Sequence, residues 1–177
     1  MKIYIASSEK HVGKIQEDIY IRNGYIKKGI YSEIATLKNI VRVAKSSDIV
    51  ILKSIWGYHI DYEKFLKQIS VFKKKKIKLV NDYNFIYWNI DKLKYLNEIK
   101  NINVISTNPL QIRHAKTAQD IRSAISEASE TFNTDILVIK PSISASGYLT
   151  FAYDINKKNG LVVNSLMANK NLDFMVQ

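Results

Sequence analysis

Short apolar runs alternate with helical patterns along the first half of the chain. Runs of bulky and β-branched residues between polar neighbours predict three strands, at Lys2–Ala6, Asp48–Lys53 and Ile77–Val80. Apolar residues at helical spacing predict three intervening helices, of which the first stops near Gly24 and the others are capped by Ser32 and Asp61. This alternation predicts a parallel sheet with right-handed crossovers, in which ligands bind at the carboxyl ends of the strands.

The organisation changes around residue 85. The second half predicts a helix that Asn89 or Asp91 caps and that ends near Asn101, a short strand at Asn103–Ser106, and a helix opened by a capping box of Thr117 and Asp120. A helix at Leu161–Ala168 and a strand at Asp173–Val176 follow. The expected fold class is α/β, with a parallel-sheet, Rossmann-like domain over residues 1–85 and an α+β part over residues 86–177.

The stretch DILVIKPSISASGYLTF, Asp135 to Phe151, predicts a buried strand, a loop and a second strand. Pairing should end at Pro141, which has no N–H group, so that Lys140 lies at a strand end. The loop Ser142–Gly147 offers backbone N–H groups and three hydroxyl groups with little bulk, which suits a polyanion such as a triphosphate. A polar hairpin with an incidental lysine accounts for the same residues, because the pattern is less constrained than a Walker loop.

Lys92 falls in the first turn of the helix that follows Asn89 or Asp91. A helix N-terminus already carries partial positive charge, so a lysine there is unfavourable unless an anion binds. A solvated surface lysine is the alternative interpretation.

The net charge of +11 raises the question of nucleic-acid binding. Only four of the 27 basic residues are arginine, whereas phosphate and base recognition favours the arginine fork. The lysines at 73–76 lie between a predicted helix and a predicted strand, where a solvated connection explains them. Nucleic acid is therefore not the expected partner.

The chain contains no cysteine and no apolar run approaching the ~18 residues of a membrane span, so we expect a cytoplasmic protein without a membrane partner. Ser7, Trp56, His59 and Asn81 follow the predicted parallel strands, where a ligand would bind. His59 alone among them has clear acid–base capacity, although a histidine without a fixed partner is more often structural.

The order of these elements and several strings resemble the ATP-grasp superfamily, in particular its branch that is similar to prokaryotic glutathione synthetase. The string WGYHIDYEKFL resembles part of that branch's pre-ATP-grasp domain, and NDYNFIYWNIDKLKYLNEI followed by NVIST resembles the entry into the ATP-grasp domain. DILVIKPSISASGYLTF resembles the lysine-bearing strand and the flexible loop over the nucleotide phosphates, and DFMVQ resembles the strand before the adenine-contacting hinge.

The resemblance implies roles only at matching positions. Lys92 and Lys140 would contact ATP phosphates, and Gln177 would lie at the adenine hinge. Trp56, His59 and Asn81 would lie near a small carboxylate substrate. The loop that would cover the phosphates comprises Ser142, Ser144, Ala145, Ser146 and Gly147. No general base and no catalytic residue is assigned.

The implied reaction is ATP-dependent ligation of a carboxylate to an amine through an acylphosphate. In the family, a second half follows the hinge and supplies the acidic and asparagine ligands of Mg²⁺, but the resemblance stops at Gln177. Because phosphoryl transfer depends on positioned metal ions, we expect a truncated chain, one piece of a split enzyme that a second polypeptide completes, or a non-catalytic interaction remnant. Such a chain should bind ATP weakly or not at all and have no ligase activity alone.

Overall fold

The structure is a computed structural model that describes residues 1–99, 106–157 and 159–177. The chain divides into two compact units, Met1–Tyr87 and Trp88–Gln177. The elements of the first unit are β1 (Ile3–Ser7), α1 (Gln16–Lys27), β2 (Ser32–Thr36), α2 (Leu37–Val43), β3 (Ile49–Ser54), α3 (Tyr62–Lys74), β4 (Lys78–Leu79) and α4 (Tyr83–Ile90). The last of these, α4, continues past the boundary of the unit to residue 90.

The first unit is built on a four-stranded parallel sheet with strand order β2-β1-β3-β4. Every residue of the central strand β1 is buried, as in parallel sheets that are covered on both faces. Ile5, Ile40, Ile69 and Phe72 are fully buried in its core. The carboxyl ends of β1, β2 and β3 therefore meet at one edge, where the loops can form a binding site.

The second unit contains a four-stranded antiparallel sheet with strand order β5-β8-β6-β7, against which two helices pack. Its remaining elements are α5 (Lys92–Glu98), β5 (Asn108–Leu110), α6 (Ala118–Phe132), β6 (Ile136–Pro141), β7 (Phe151–Asp154), a 3₁₀ turn (Ile155–Lys157), α7 (Gly160–Ala168) and β8 (Phe174–Val176). The predicted α/β class, a parallel sheet followed by an α+β part, is confirmed. The strand predicted at Asn103–Ser106 falls, except for Ser106, outside the described residues, as does the helix end near Asn101.

The prediction that Ser32 caps a helix is wrong. Ser32 begins β2, which pairs in parallel with β1 along its whole length, and α2 starts only after Thr36. Thr36 is the actual cap, since its Oγ1 accepts a hydrogen bond from the N–H group of Asn39 at 3.3 Å. The helical spacing that begins at Ile34 was misleading because pairing with the buried strand β1 outweighs local pattern.

The first helix also extends beyond the predicted end at Gly24 and stops at Lys27. A Cβ atom at Gly24 would meet no other atom within 4 Å, so this glycine lies inside the helix without a packing role. The chain turns at Gly29 instead, where φ is +72°.

The strand β6 is buried on one face only, whereas the sequence predicts a fully buried run. Leu137 and Ile139 are completely buried, but Ile136 is 62% exposed and Val138 is 37% exposed. The alternation has period 2, so Lys140 lies on the same face as the two exposed residues. This places an ammonium group at the end of an open apolar strip.

Among the described residues, no helix has the length and apolar character needed to cross a membrane.

Candidate functional site

The candidate site lies where the start of α5 contacts the turn after β6. Asp91 caps α5, because its side chain accepts a hydrogen bond from the N–H group of Lys94 at 3.3 Å. The backbone N–H group of Lys92 donates to the carbonyl oxygen of Ser142 at 3.0 Å, and the N–H group of Ser142 donates to the carbonyl oxygen of Asp173 at 2.8 Å. The helix start, the turn and the segment before β8 are thus joined through their backbones.

The ammonium group of Lys92 points into the turn after β6. Its Nζ atom donates to the carbonyl oxygen of Ser144 at 2.6 Å, to the Oγ atom of Ser144 at 3.2 Å, and more weakly to the carbonyl oxygen of Ser142 at 3.4 Å. The Ser144 hydroxyl in turn donates to the carbonyl oxygen of Pro141 at 3.1 Å. Carbonyl dipoles fix the position of Lys92, while its positive charge has no anionic partner within hydrogen-bond distance among the described residues.

The surroundings of Lys92 disfavour its charged form. Partial burial lowers the pKa of this lysine below its ordinary value, and repulsion from Lys140 lowers it further, while Asp91 acts in the opposite direction. This repulsion agrees with the geometry, since the Lys92 ammonium group bonds to the turn that directly follows Lys140. A bound anion at this position would offset both the burial cost and the repulsion between the two lysines.

The turn itself divides into a fixed start and an exposed tip. Ser142 and Ser144 are buried and engaged in the contacts described above, whereas Ser146 and Gly147 are exposed. Ser146 and Gly147 have φ values of +53° and +72°, and the N–H group of Tyr148 donates to the carbonyl oxygen of Ala145 at 3.1 Å, as in a type I′ turn. The N–H groups of Ser146 and Gly147 make no hydrogen bond to the part of the chain that the structure describes.

Gln177 lies beside β6 on the open side of the sheet. Its backbone exchanges two hydrogen bonds with Val138, at 2.9 and 3.0 Å, and its side-chain Nε2 atom donates to the Oγ1 atom of Thr107 at 2.9 Å. Ala152 of β7 pairs with Val138 from the other side and is exposed. Val138 and Ala152 thus form an apolar strip, and the cation Lys140 lies at the end of this strip.

The residues predicted to bind a carboxylate, Trp56, His59 and Asn81, belong to the first unit. Trp56 lines a cleft of about 190 Å³ at the carboxyl edge of the parallel sheet, and its ring centroid lies 4.8 Å from that of His11. His59 and Asn81 are not among the residues that line this cleft. The His59 ring contacts the edge of Tyr58, with 5.8 Å between centroids, and Asn81 is exposed after β4.

Within residues 1–99, 106–157 and 159–177, no group of three or more histidine or acidic side chains could hold a metal ion. The described residues thus offer no ligand set for the Mg²⁺ that the resemblance implies.

The contacts that hold Lys92 and Gln177 in place were not predicted from the sequence. Nothing in the sequence indicated that the Lys92 ammonium group would bind carbonyl oxygens of the turn 50 residues further on, or that Thr107 would hold Gln177. Both contacts join residues far apart in the chain. The clues that existed were local, namely a lysine in a first helical turn and a strand that ends at Lys140-Pro141.

Solved structures resemble the chain over its whole length at low sequence identity. It matches D-cycloserine synthetase DcsG with a TM-score of 0.76 and 17% identity, over 99% of this chain and 58% of that one. It matches the RimK domain ATP-grasp protein of Sphaerobacter thermophilus with a TM-score of 0.66 and 9% identity, over 100% of this chain and 63% of that one. The chain follows the ATP-grasp fold.

A third match is carboxyaminoimidazole ribonucleotide synthase of Aspergillus clavatus, a structure complexed with ATP, with a TM-score of 0.66 and 10% identity. It covers 99% of this chain and 46% of that one. The chain thus spans between about half and two thirds of the length of these ATP-grasp structures. No protein-family model and no curated protein matches the sequence.

Proposed function

We propose that this chain forms the phosphate-binding part of an ATP site, with Lys92 and Lys140 as the phosphate-binding cations. The observation that carries the proposal is the position of the Lys92 ammonium group on the carbonyl oxygens of Ser142 and Ser144, in the turn that follows Lys140. The lowered pKa of Lys92 agrees with this proximity of the two cations. A surface lysine would turn away from a second cation, because solvent lies within reach. A triphosphate would accept hydrogen bonds from both lysines, each of which is typically about 1.5 to 3 kcal/mol net.

The exposed tip of the turn would complete the phosphate site. The N–H groups of Ser146 and Gly147 lie in a left-handed turn and are free to donate to phosphate oxygens, as in other backbone anion sites. Ala145 gives the tip little bulk, while Ser142 and Ser144 anchor its start through their buried contacts. The tip is therefore the part that would cover bound phosphates.

The apolar strip beside Lys140 would receive the adenine base. Val138 lies two residues before Lys140 on the same face, a separation of roughly 7 Å along a strand. Val138 and Ala152 offer an apolar surface, and Gln177 next to them is held by Thr107. A base on this surface would direct its phosphates toward Lys140.

The reaction proposed for the complete enzyme is ATP-dependent ligation of a carboxylate to an amine through an acylphosphate, in the glutathione synthetase-like branch of the superfamily. The ATP-grasp fold and the two lysines support the nucleotide half of this proposal. For the carboxylate half, we propose that Trp56 of the first unit contributes to substrate binding, with His59 and Asn81 as further candidates.

Titration of the ¹⁵N-labelled chain with ATP, observed by NMR, tests the nucleotide site even if the dissociation constant of ATP is in the millimolar range. ATP should shift the amide signals of Ser146, Gly147 and Val138 in a saturable manner, and Lys140→Met should weaken binding at least about tenfold. Lys78→Met is the matched control, because this lysine is exposed on β4 in the other unit. Equal ATP binding by the wild type and Lys140→Met would contradict the proposal.

A non-catalytic interaction role is the second candidate, and the exposure of Ile136 and Val138 favours it. In that case another polypeptide, rather than adenine, would cover the strip. The same titration separates the two, because under the interaction role ATP would leave the Val138 amide signal unchanged, and a stoichiometric protein complex would form without nucleotide.

A further inference from the structure

We infer that the cleft of the first unit, at the carboxyl edge of the parallel sheet, binds a small carboxylate through Lys38, Lys64 and the Ser7 hydroxyl, with Trp56 as a wall. The inference rests on the proposed function for the role of the carboxylate as a substrate. It goes further in its residues, because it adds to Trp56 the side chains of Lys38, Lys64 and Ser7, which line the cleft. The cleft lies entirely within the first unit.

The strands β1 and β3 are paired irregularly beside this cleft. Ala6 pairs with Leu52 but Ser7 pairs with Ser54, so that Lys53 of β3 is the extra residue at this point. Bulges of this kind turn a side chain out of the regular pleat and are frequent next to binding sites. Ser7 lies at this irregularity and lines the cleft.

The hydroxyl group of Ser7 is buried and unpartnered. Ser7 is 0% exposed, and its Oγ atom has no hydrogen-bond partner among the residues that the structure describes. Its neighbour Ser54 cannot donate to it, because the Ser54 hydroxyl donates to the Oδ1 atom of Asp18 at 2.8 Å. A buried hydroxyl without a partner is costly, and a ligand oxygen at the cleft floor would remove this cost.

Two aromatic residues give the cleft a defined wall. Trp56 is 52% exposed, and its ring is held edge-on by His11, whose Nδ1 atom is 2.9 Å from the Oγ atom of Ser8. Tyr58 packs against the buried Phe65 with 5.3 Å between ring centroids. The wall is therefore set by packing in the unliganded protein, which lowers the ordering cost of binding.

The charges at the cleft suit a single carboxylate. Lys38 and Lys64 are exposed on the lining, and neither ammonium group has an ion-pair partner within the described ranges of the chain. Asp61, also on the lining, accepts a hydrogen bond from the Lys64 N–H group at 3.2 Å as the cap of α3, and Glu9 lies exposed nearby. These two acids disfavour a polyanion such as a triphosphate, so the cleft and the proposed nucleotide site should select different ligands.

The test is an NMR titration of the full chain with benzoate, an aromatic carboxylate, and with its neutral analogue benzamide. Benzoate should give saturable shifts of the Ser7 and Ser8 amides and of the Trp56 indole N–H signal, whereas benzamide should not. The double variant Lys38→Ala/Lys64→Ala should weaken benzoate binding at least about tenfold at low ionic strength. Lys67→Ala, on α3 but outside the cleft lining, is the matched control and should bind as the wild type does.

Ser7→Ala provides an independent check. Since the hydroxyl has no partner in the free protein, its removal should leave the melting temperature unchanged or raise it, yet weaken benzoate binding about 2- to 10-fold. Benzoate binding that Ser7→Ala and the lysine double variant leave intact would overturn the inference. Lys140→Met should not affect benzoate binding, so a failure of the nucleotide site and a failure of this cleft give different results.

Discussion

At the scale of single residues, Lys92 is the most informative side chain. Its pKa is lowered first by burial and then by Lys140, so the folded state favours neutral Lys92 more than the unfolded state does. The unfolded chain therefore binds more protons at this group between the folded and the unfolded pKa values. Consequently, the contribution of Lys92 to the free energy of unfolding is least favourable at neutral pH and rises as the pH increases through that window.

Removing the neighbouring charge should raise the pKa of Lys92. In Lys140→Met the repulsion is lost but the burial remains, so the pKa should move toward the ordinary lysine value without reaching it. The change can be followed through the ¹³Cε chemical shift of Lys92 in a pH titration of the free protein. Lys140→Arg, which retains the charge, should leave the pKa nearly unchanged, and an equal effect of both substitutions would show that charge repulsion is not the cause.

At the scale of elements, β6 combines a buried face with an open one, and two isoleucines of this strand provide a direct comparison. Ile139 is 0% exposed, so Ile139→Ala should lower the free energy of unfolding by about 2 to 5 kcal/mol. Ile136 is 62% exposed, so Ile136→Ala should cost less than about 1 kcal/mol. Urea unfolding of both variants tests this difference, and equal losses would contradict the one-sided burial of the strand.

Two glycines near the end of α1 should respond to alanine in opposite directions. Gly24 lies inside the helix with open space around it, so Gly24→Ala should raise the free energy of unfolding by about 0.5 to 1 kcal/mol. Gly29 has a φ of +72°, which an alanine adopts only with strain, so Gly29→Ala should lower it. Thermal unfolding of the two variants would show the contrast, and a loss of stability in Gly24→Ala would argue against the helix continuing through this position.

Local patterns predicted the elements whose determinants are local. The capping box of Thr117 and Asp120 is present at α6, and Asp61 caps α3 as predicted. Of the two predicted caps of α5, Asn89 and Asp91, the helix uses Asp91. The strand β2 was missed because its residues carry helical spacing and pair only through β1, a contact between distant parts of the chain. The open face of β6 was missed for a similar reason, since Ile136 and Val138 are as apolar as their buried neighbours.

The candidate site shows the same division between local and distant information. Lys92 and Lys140 could be singled out because each occupies an unusual position in its own element, namely a first helical turn and a strand end. Their mutual repulsion could not be predicted, because it depends on α5 meeting the turn after β6 through the contacts of Lys92 with Ser142 and Ser144. The cleft residue Lys38 was not predicted, because the sequence predicted a helix where β2 lies and therefore misplaced the start of the following helix.

At the scale of the whole molecule, two compact units each carry one candidate small-molecule site. The second unit offers cations, free N–H groups and an apolar strip, which suit a nucleotide. The first unit offers a cleft with two lysines and a buried unpaired hydroxyl, which suit a carboxylate. A nucleotide and a carboxylate are the two reactants that an acylphosphate mechanism requires, so the proposed ligase function accounts for both sites.

The measurement that tests the central claim most directly is the pKa of Lys92 in the presence and absence of excess tripolyphosphate, read from its ¹³Cε chemical shift. If the two lysines bind phosphates, the polyanion will raise the lowered pKa of Lys92 to its ordinary value or above, because opposite charge favours the ammonium form. Lys140→Met should reduce this rise. An unchanged pKa of Lys92 under saturating tripolyphosphate would contradict the assignment of Lys92 and Lys140 as a phosphate site.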